Sequence, residues 1–337
     1  MSSFELAPGV VVEPDRRQVF VMSPDGGIVV VDLDSGSEVW RSQEAAKPLT
    51  IVGDLLVSQA ETPGPDNEMR LVSLDVGRQG EAVSQGLVKL PPNVTPLIGQ
   101  SATRTFNALA LPAAPQADRA NVTWEYVERP LRGVADGPMQ WLPGEAPPVV
   151  SAAAAMGGTP GGPSLADAAP VEPGGEAVVM RGEIEIDPAS GAVAAAAPRQ
   201  LDAAPQTATV GVGAAAAPAA PDVTVAGIGQ PQFPSADGRH VMTSQRTAQE
   251  PAWEKYLWTV YRRDDGQKVG TIRNFVRYAP FFVHENRIVF QAPPHARAID
   301  GEVVEEPLQI RAADLETGER LWNQPVRDTT DRDPQPP

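Results

Sequence analysis

Three histidines and a scatter of carboxylates are the residues of this 337-residue chain best suited to acid–base or metal chemistry. His240, His284 and His295 stand far apart in sequence and show none of the HxH or HxxxH spacings that place two imidazoles on one ion. His240 follows a "DGR" turn, His284 precedes an "EN" turn and His295 falls in a loop, so surface positions beside turns are expected for all three. "DNE" (66–68) and "EVVEE" (302–306) could offer oxygen ligands to calcium, but neither has EF-type spacing, and solvated loop charges are the expected reading. No G-x-S-x-G elbow and no P-loop occurs. "GGTPGGP" (157–163) is glycine-rich but lacks the lysine and following helix that phosphate binding needs. The chain has no cysteine, which excludes disulfides, thiolate metal sites and a cysteine nucleophile. No catalytic, cofactor-binding or metal-ligating residue emerges, and no cofactor is expected.

Aromatic and basic residues concentrate in "WEKYLWTVYRR" (253–263) and "RNFVRYAPFF" (273–282). Trp253, Tyr256, Arg262 and Arg263, with the isolated Trp141, form a candidate interaction surface through stacking and cation–π contact. Core packing with edge charges is the competing reading. Trp253 and Tyr256 are the better surface candidates because they adjoin a loop.

These residues sit in a chain patterned for strands. Short runs rich in β-branched residues, such as "QVFVM", "IVVVDL", "LLVSQ" and "MRLVSLDV", are separated by turn clusters "SPDGG", "DSGS" and "TPGPDNE". No helical period is sustained. Prolines (36) and glycines (30) favour turns over long helices. Residues 1–135 and 226–327 read as strand-rich segments, and 328–337 as a polar tail. Between them, 136–225 is a low-complexity acidic insertion with runs such as "SAAAAMGGTPGGP" and one aromatic residue, Trp141. It carries about half of the net charge of −16, and too little apolar bulk to offset the entropy of ordering. One island near 176–191, "EAVVMRGEIEIDPASG", alternates apolar and polar residues and ends in a turn, reading as a strand pair that tethers the insertion.

The strands form a repeat. "QVFVMSPDGGIVVVDLDSGSEVW", "DLLVSQAETPGPDNEMRLVSLDVGRQGEAV", "RHVMTSQRTAQEPAWEKYLWTVYRRDDGQKVGTI" and "NRIVFQAPPHARAIDGEVVEEPLQIRAADLETGERLW" each run strand, variable loop, strand, acidic-glycine turn, strand. "RTFNALALPAAPQADRANVTWEYVERPLRG" fits less well, and the island fits a second half. A period of about 45 residues with several strands per unit is the signature of a β-propeller. The expected fold is therefore all-β: a β-propeller of about six four-stranded blades with a long Ala/Pro/Gly-rich insertion. The stretch 9–13 is expected to complete the last blade and close the ring.

The phrase ending each unit resembles the quinoprotein-type (PQQ-like) propeller repeat, "G-x-I-x-A-L-D-x-x-T-G-x-x-x-W". Its matching positions are Gly27, Val29, Asp32, Gly36 and Trp40 in the first unit, and Ile310, Ala313, Asp314, Gly318 and Trp322 in the last. The resemblance implies that Asp and Gly close a hairpin and that the Trp packs between blades. The family's dehydrogenases are larger rings with a calcium-bound cofactor and, often, a vicinal cysteine pair, so a degenerate dehydrogenase is the least favoured reading.

The acidic surface disfavours nucleic acid and anionic lipid. No stretch is apolar enough to span a membrane, and "MSSFELAPGVVVEPDRR" does not read as a secretory signal. A cytoplasmic setting is the default expectation, with a periplasmic or extracellular one left open. The expected function is a non-catalytic scaffold or accessory subunit with protein partners, its insertion 136–225 wrapping a neighbouring subunit. The alternative is a propeller that binds a small ligand or glycan.

Overall fold

Asp–Gly turns and β-branched runs set where strands begin and end in the computed structural model, which describes residues 3–61, 67–98, 104–111, 118–128, 177–201, 225–247, 254–299 and 302–329. Among these residues there is no α-helix, and no helix long and apolar enough to cross a membrane. Five antiparallel sheets of four or more strands follow one another along the chain.

The first sheet holds β1 (Phe4–Ala7), β2 (Val10–Glu13), β3 (Gln18–Met22), β4 (Ile28–Asp32) and β5 (Glu38–Ser42). The second holds β6 (Lys47–Val52), β7 (Leu55–Gln59), β8 (Glu68–Asp75) and β9 (Glu81–Lys89). The third pairs β10 (Arg104–Ala110), β11 (Ala120–Glu128), β12 (Val178–Ile186) and β13 (Val193–Ala195), with β14 (Arg199–Leu201) also on β12. The fourth holds β15 (Gln232–Pro234), β16 (His240–Arg246), β17 (Tyr256–Arg262) and β18 (Lys268–Asn274). The fifth orders β19 (Phe281–His284), β20 (Arg287–Ala292), β23 (Gln309–Asp314) and β24 (Arg320–Pro325). The hairpin β21 (His295–Ile299) and β22 (Glu302–Glu306) stands between β20 and β23.

The sheets are propeller blades, with their first strands innermost. Every residue of β2 and β6 is buried, and all but His284 of β19. The outermost strands β5, β9 and β24 alternate buried with exposed residues. Hydrophobic clusters join the first blade to the second, the second to the third, the fourth to the fifth, and the fifth back to the first. The last of these packs Phe282, Val289, Ile310, Ala312 and Trp322 against Val10, Val12, Val19, Val29 and Val31, so the ends of the chain meet.

Two expectations change. Residues 9–13 do not complete the last blade; β2 pairs with β1 and β3 inside the first, and the first and last blades are joined by side-chain packing and by the Arg327 N–H donating to Met22 O at 3.0 Å. The valines of β2 bury one face against the fifth blade, through Val10 and Val12, and the other against the second, through Val11, and β1 adds a fifth strand on the far side of β2 from β3. Five blades are described where about six were expected. The weak unit around 104–128 and the island around 178–195 are halves of one sheet, joined in a nine-residue register from Ala120↔Ile186 to Glu128↔Val178. The low-complexity stretch 129–176 separates them in sequence, which hid the pairing. Residues 202–224 lie between β14 and β15, and both stretches fall outside the described residues.

Ring closure rests on a close approach. A methyl group on Gly36 would come within 2.7 Å of the Trp322 ring, and Gly36 has φ +69°. Gly53, also at φ +59°, has nothing within 4 Å. Gly36→Ala is expected to lower stability by about 2–5 kcal/mol, left-handed strain and overpacking combined. Gly53→Ala should lose about 1–2 kcal/mol from strain alone. Urea unfolding of the two variants decides this, and equal losses would refute the closure role of Gly36.

Candidate functional site

In a four-stranded antiparallel blade, the connections between strands one and two and between three and four leave at one end. The connection between strands two and three, and the passage to the next blade, leave at the other. The first end carries mostly short turns, with one longer connection at 111–119. Asp314 Oδ1 accepts the N–H groups of Glu316 and Thr317 at 2.8 Å each, and Gly318 N–H returns to Asp314 O at 2.9 Å. Backbone donation from Thr317 holds the Asp314 carboxyl below the usual range. Asp32 takes the same role, with Ser35 N–H and Oγ both at 2.8 Å. Asp187 does so through the Ser190 hydroxyl at 2.6 Å.

The repeat's other positions make the seams. Trp322 Nε1–H donates to Leu33 O at 3.1 Å, and its ring covers Gly36. Trp40 covers Gly80 of the second blade, where an added methyl would clash with the indole ring. Asp32, Gly36, Trp40, Asp314, Gly318 and Trp322 are thus turn formers and interblade packing residues. At the same end Arg17 bridges Asp34 at 2.8 Å and Glu285 at 2.9 Å, and Arg287 also pairs with Asp34. Asp34, His284 and Glu285 hold donor atoms within 4.8 Å of one another, a spacing that could suit a metal. Two guanidiniums already neutralise the two carboxylates, so a cation here would have to displace Arg17. The cluster reads as an ionic clasp across the closing seam.

The partly buried Glu5 and the buried Lys47 feel each other's charge across the seam of the first and second blades. Lys47, 6% exposed, opens β6, and its Nζ donates to Ala108 O at 2.9 Å. Glu5 of β1 accepts the Gly9 N–H at 3.3 Å. Burial pushes the Glu5 carboxyl up to about 7, against the opposing pull of the Lys47 charge and the Gly9 N–H. Burial likewise lowers the Lys47 ammonium, against Glu5. A carboxyl half-protonated near neutrality is what general acid–base work requires. Here it belongs to the strand β1, which has β6 and β20 as neighbours besides β2.

The second end carries the variable connections: 23–27, 60–67, 129–177, 247–255 and the hairpin-bearing 293–308. The hairpin is fixed at its base by a polar cluster. Arg311, 6% exposed, pairs with Glu306 and donates to Gln309 Oε1 at 3.2 Å. Asn323 Nδ2 donates to the same oxygen at 3.1 Å. The His295 ring stacks on Phe275 at 3.9 Å, and the Arg311 guanidinium lies 5.6 Å from that ring's centre. Here the structure departs from expectation. His295 lies in a strand and is packed against an aromatic ring, and "EVVEE" is a strand whose Glu306 is 11% exposed and paired. A strand that returns into the core draws its last carboxylate onto a buried arginine, because neither charge could be buried alone.

The proposed interaction residues do not gather on one surface. Tyr256 begins β17 at the variable end, half-buried against the core shared by blades four and five. Arg262 ends β17 at the opposite face, paired with Asp265 at 3.6 Å. Arg263 donates from there to Gly238 O at 3.0 Å. Trp141 and Trp253 lie outside the described residues. Sequence reasoning missed Glu5, Lys47 and Arg311; the available signal was a lone charge inside an apolar run, as in "AAKPLTIV" and "LQIRAADL".

Comparison with known proteins adds names without an argument. No family model matches the chain. No curated protein matches it. Among solved structures it is similar to a europium-containing methanol dehydrogenase, at 11% identity and TM-score 0.22, over 92% of this chain and 67% of that one. It is also similar to the β-propeller domain of Cps50 (Swd1) from Myceliophteria thermophila, at 8% identity and TM-score 0.27, over 96% and 88%. A third is the quinohemoprotein alcohol dehydrogenase ADHIIG from Pseudomonas putida HK5, at 11% and 0.22, over 92% and 57%.

Glu5 gives a pH test. Its folded pKa of about 7 lies above the ordinary 4.5, so ionisation costs more in the fold than in the unfolded chain. Its favourable contribution is full below pH 4.5 and is lost as the pH rises through about 7. The loss should approach about 3 kcal/mol, as 1.36 kcal/mol per pKa unit implies. Glu5→Gln should flatten this part of the profile and be the more stable form at pH about 8. Urea midpoints across the pH range test it; parallel profiles for the two proteins would refute it.

Proposed function

We propose that this chain is a non-catalytic β-propeller acting as an accessory interaction subunit, and that it meets its protein partner with the variable-loop face. The observation that carries this reading is the asymmetry of the two faces. One consists mainly of short turns, with one longer connection at 111–119, and its carboxylates at Asp32, Asp34, Asp187, Glu285 and Asp314 are spent on backbone amides, neighbouring hydroxyls and arginines. The other carries the longest connections, 129–177 and the 293–308 segment with the anchored hairpin β21–β22. Loops on a rigid scaffold can change length and chemistry without disturbing the core, which is where recognition concentrates. The idea that 136–225 wraps a neighbouring subunit falls outside the described residues, apart from β12, β13 and β14.

The reading predicts a one-sided pattern of contacts. Photo-crosslinking residues at Glu61, Asn93 and Val303, exposed at the variable end, should capture a common protein in cells that express this chain naturally. The same probes at Ser35, Arg78 and Asp265, exposed at the opposite end, should not. Equal capture from both faces would overturn the assignment of the face. Dye reduction with alcohols after addition of pyrroloquinoline quinone and calcium would overturn the non-catalytic reading.

A further inference from the structure

The hairpin β21–β22 differs from every other pair of strands described. Among the described residues its two strands pair with each other and with no third strand, in the register His295↔Glu306 to Ile299↔Glu302. A two-stranded ribbon is marginal alone in water. This one is held from its base by the Arg311–Glu306 ion pair and by the His295–Phe275 stack. Its second strand β22 carries the most exposed large apolar residue of the described chain, Val303, at 73%. Strand alternation puts Val303 and Glu305 on one face, opposite Ala298 and Ala296, and puts Val304 and Glu306 on the other. Free main-chain groups, an exposed valine and a carboxylate two residues on make a strand-pairing edge with a defined side-chain pattern.

Charge decides the occupant. A second copy of this chain pairing its own β22 antiparallel about the central Val304 would bring Glu302 opposite Glu306, which is destabilising. The whole chain carries a net charge of −16, which adds to that repulsion. Resting on the interaction reading above, we propose that β22 receives an extended segment of a partner protein, added antiparallel at its free edge. The segment's sequence follows from the face: a basic residue opposite Glu305, one residue of either kind, then an aliphatic β-branched residue opposite Val303. The rigid base lowers the entropy cost of capture, since the edge is formed before the partner arrives.

A short synthetic peptide with a Lys-Thr-Val core, titrated into the full chain and followed by backbone amide NMR, tests this directly. Shifts should centre on Val303, Val304 and Glu305. N-methylation of the peptide's pairing amides should abolish them, because main-chain bonds carry the affinity. Glu305→Lys should weaken the Lys peptide about tenfold and make a Glu-Thr-Val peptide the better ligand. Val303→Asp, at a position too exposed to unfold the chain, should weaken both. Binding that survives N-methylation would reduce the site to a charge patch and overturn the proposal. So would a concentration-dependent dimer lost in Val303→Asp, which would make the occupant a second copy. No shift with the Lys peptide would mean that the glutamates guard the edge against pairing. If the hairpin fails these tests while Glu61 and Asn93 still crosslink a partner, this proposal falls and the interaction function stands. If crosslinking fails as well, both fall.

Discussion

The contact on which this ring depends is the approach of one blade's outer strand to the next blade's Asp–Gly turn. A single blade is a small sheet with two apolar faces, and each must be covered by a neighbour. Covering them demands that turn and strand come closer than a Cβ allows, so one partner at each seam is glycine. Trp40 lies on Gly80, and Trp322 lies on Gly36. Between the second and third blades Gly86 of β9 meets Val193, with Gly191 against the Gln85 backbone 2.5 Å from where its Cβ would be. Between the fourth and fifth, Gly270 would place a methyl 2.6 Å from the Leu315 carbonyl carbon. Position is kept while chemistry changes: Trp40, Trp322 and Gly270 each stand four residues after the turn glycine. Where the side chain is an indole, the turn's glycine makes the room; where it is a glycine, the turn's leucine backbone fills the space.

Among the described residues, one junction lacks this lock. The residue four beyond Gly191 is Ala195, whose side chain is exposed, and Gly266 of the fourth blade faces Val225 rather than the third blade. None of the four hydrophobic clusters spans these two sheets. Their inner strands β10 and β15 are also less buried than β2, β6 and β19. The chain enters and leaves its low-complexity stretches at this part of the ring. The closing seam needs strength for the same reason. With one junction weakly packed, the first and fifth blades carry Trp322, an indole hydrogen bond and the Arg17–Asp34–Arg287 clasp together.

Much of this was legible in the sequence, for reasons tied to particular residues. The turn at Asp314–Gly318 and the tryptophan beyond it can be read because each residue's role is local: an acceptor for turn amides, a positive φ and a large apolar surface. The third blade was not legible as one unit. Its strands β11 and β12 pair across 49 intervening residues, and neither alanine-rich flank signals a strand. The N-terminal strands misled for a related reason. A valine run such as "GVVVE" fits any inner position, and only packing decides which blade receives it. The buried charges Lys47 and Arg311 escaped because composition treats a charge as surface until a partner is placed beside it.

The two faces also divide the labour of charge. At the turn face, carboxylates are committed: Asp32, Asp187 and Asp314 to backbone amides, Asp34 and Glu285 to arginines of adjoining blades. These interactions specify the geometry of the ring and leave little unsatisfied charge for a visitor. The variable face is built the other way. Its fixed points, Arg311 with Glu306 and His295 with Phe275, hold the base of a hairpin that exposes Val303. Evolution can alter such an exposed residue at small cost to folding, because the seams lie elsewhere. A fold so arranged keeps its stability in the turns and its specificity in the loops, and the anchored hairpin is the place where the two connect.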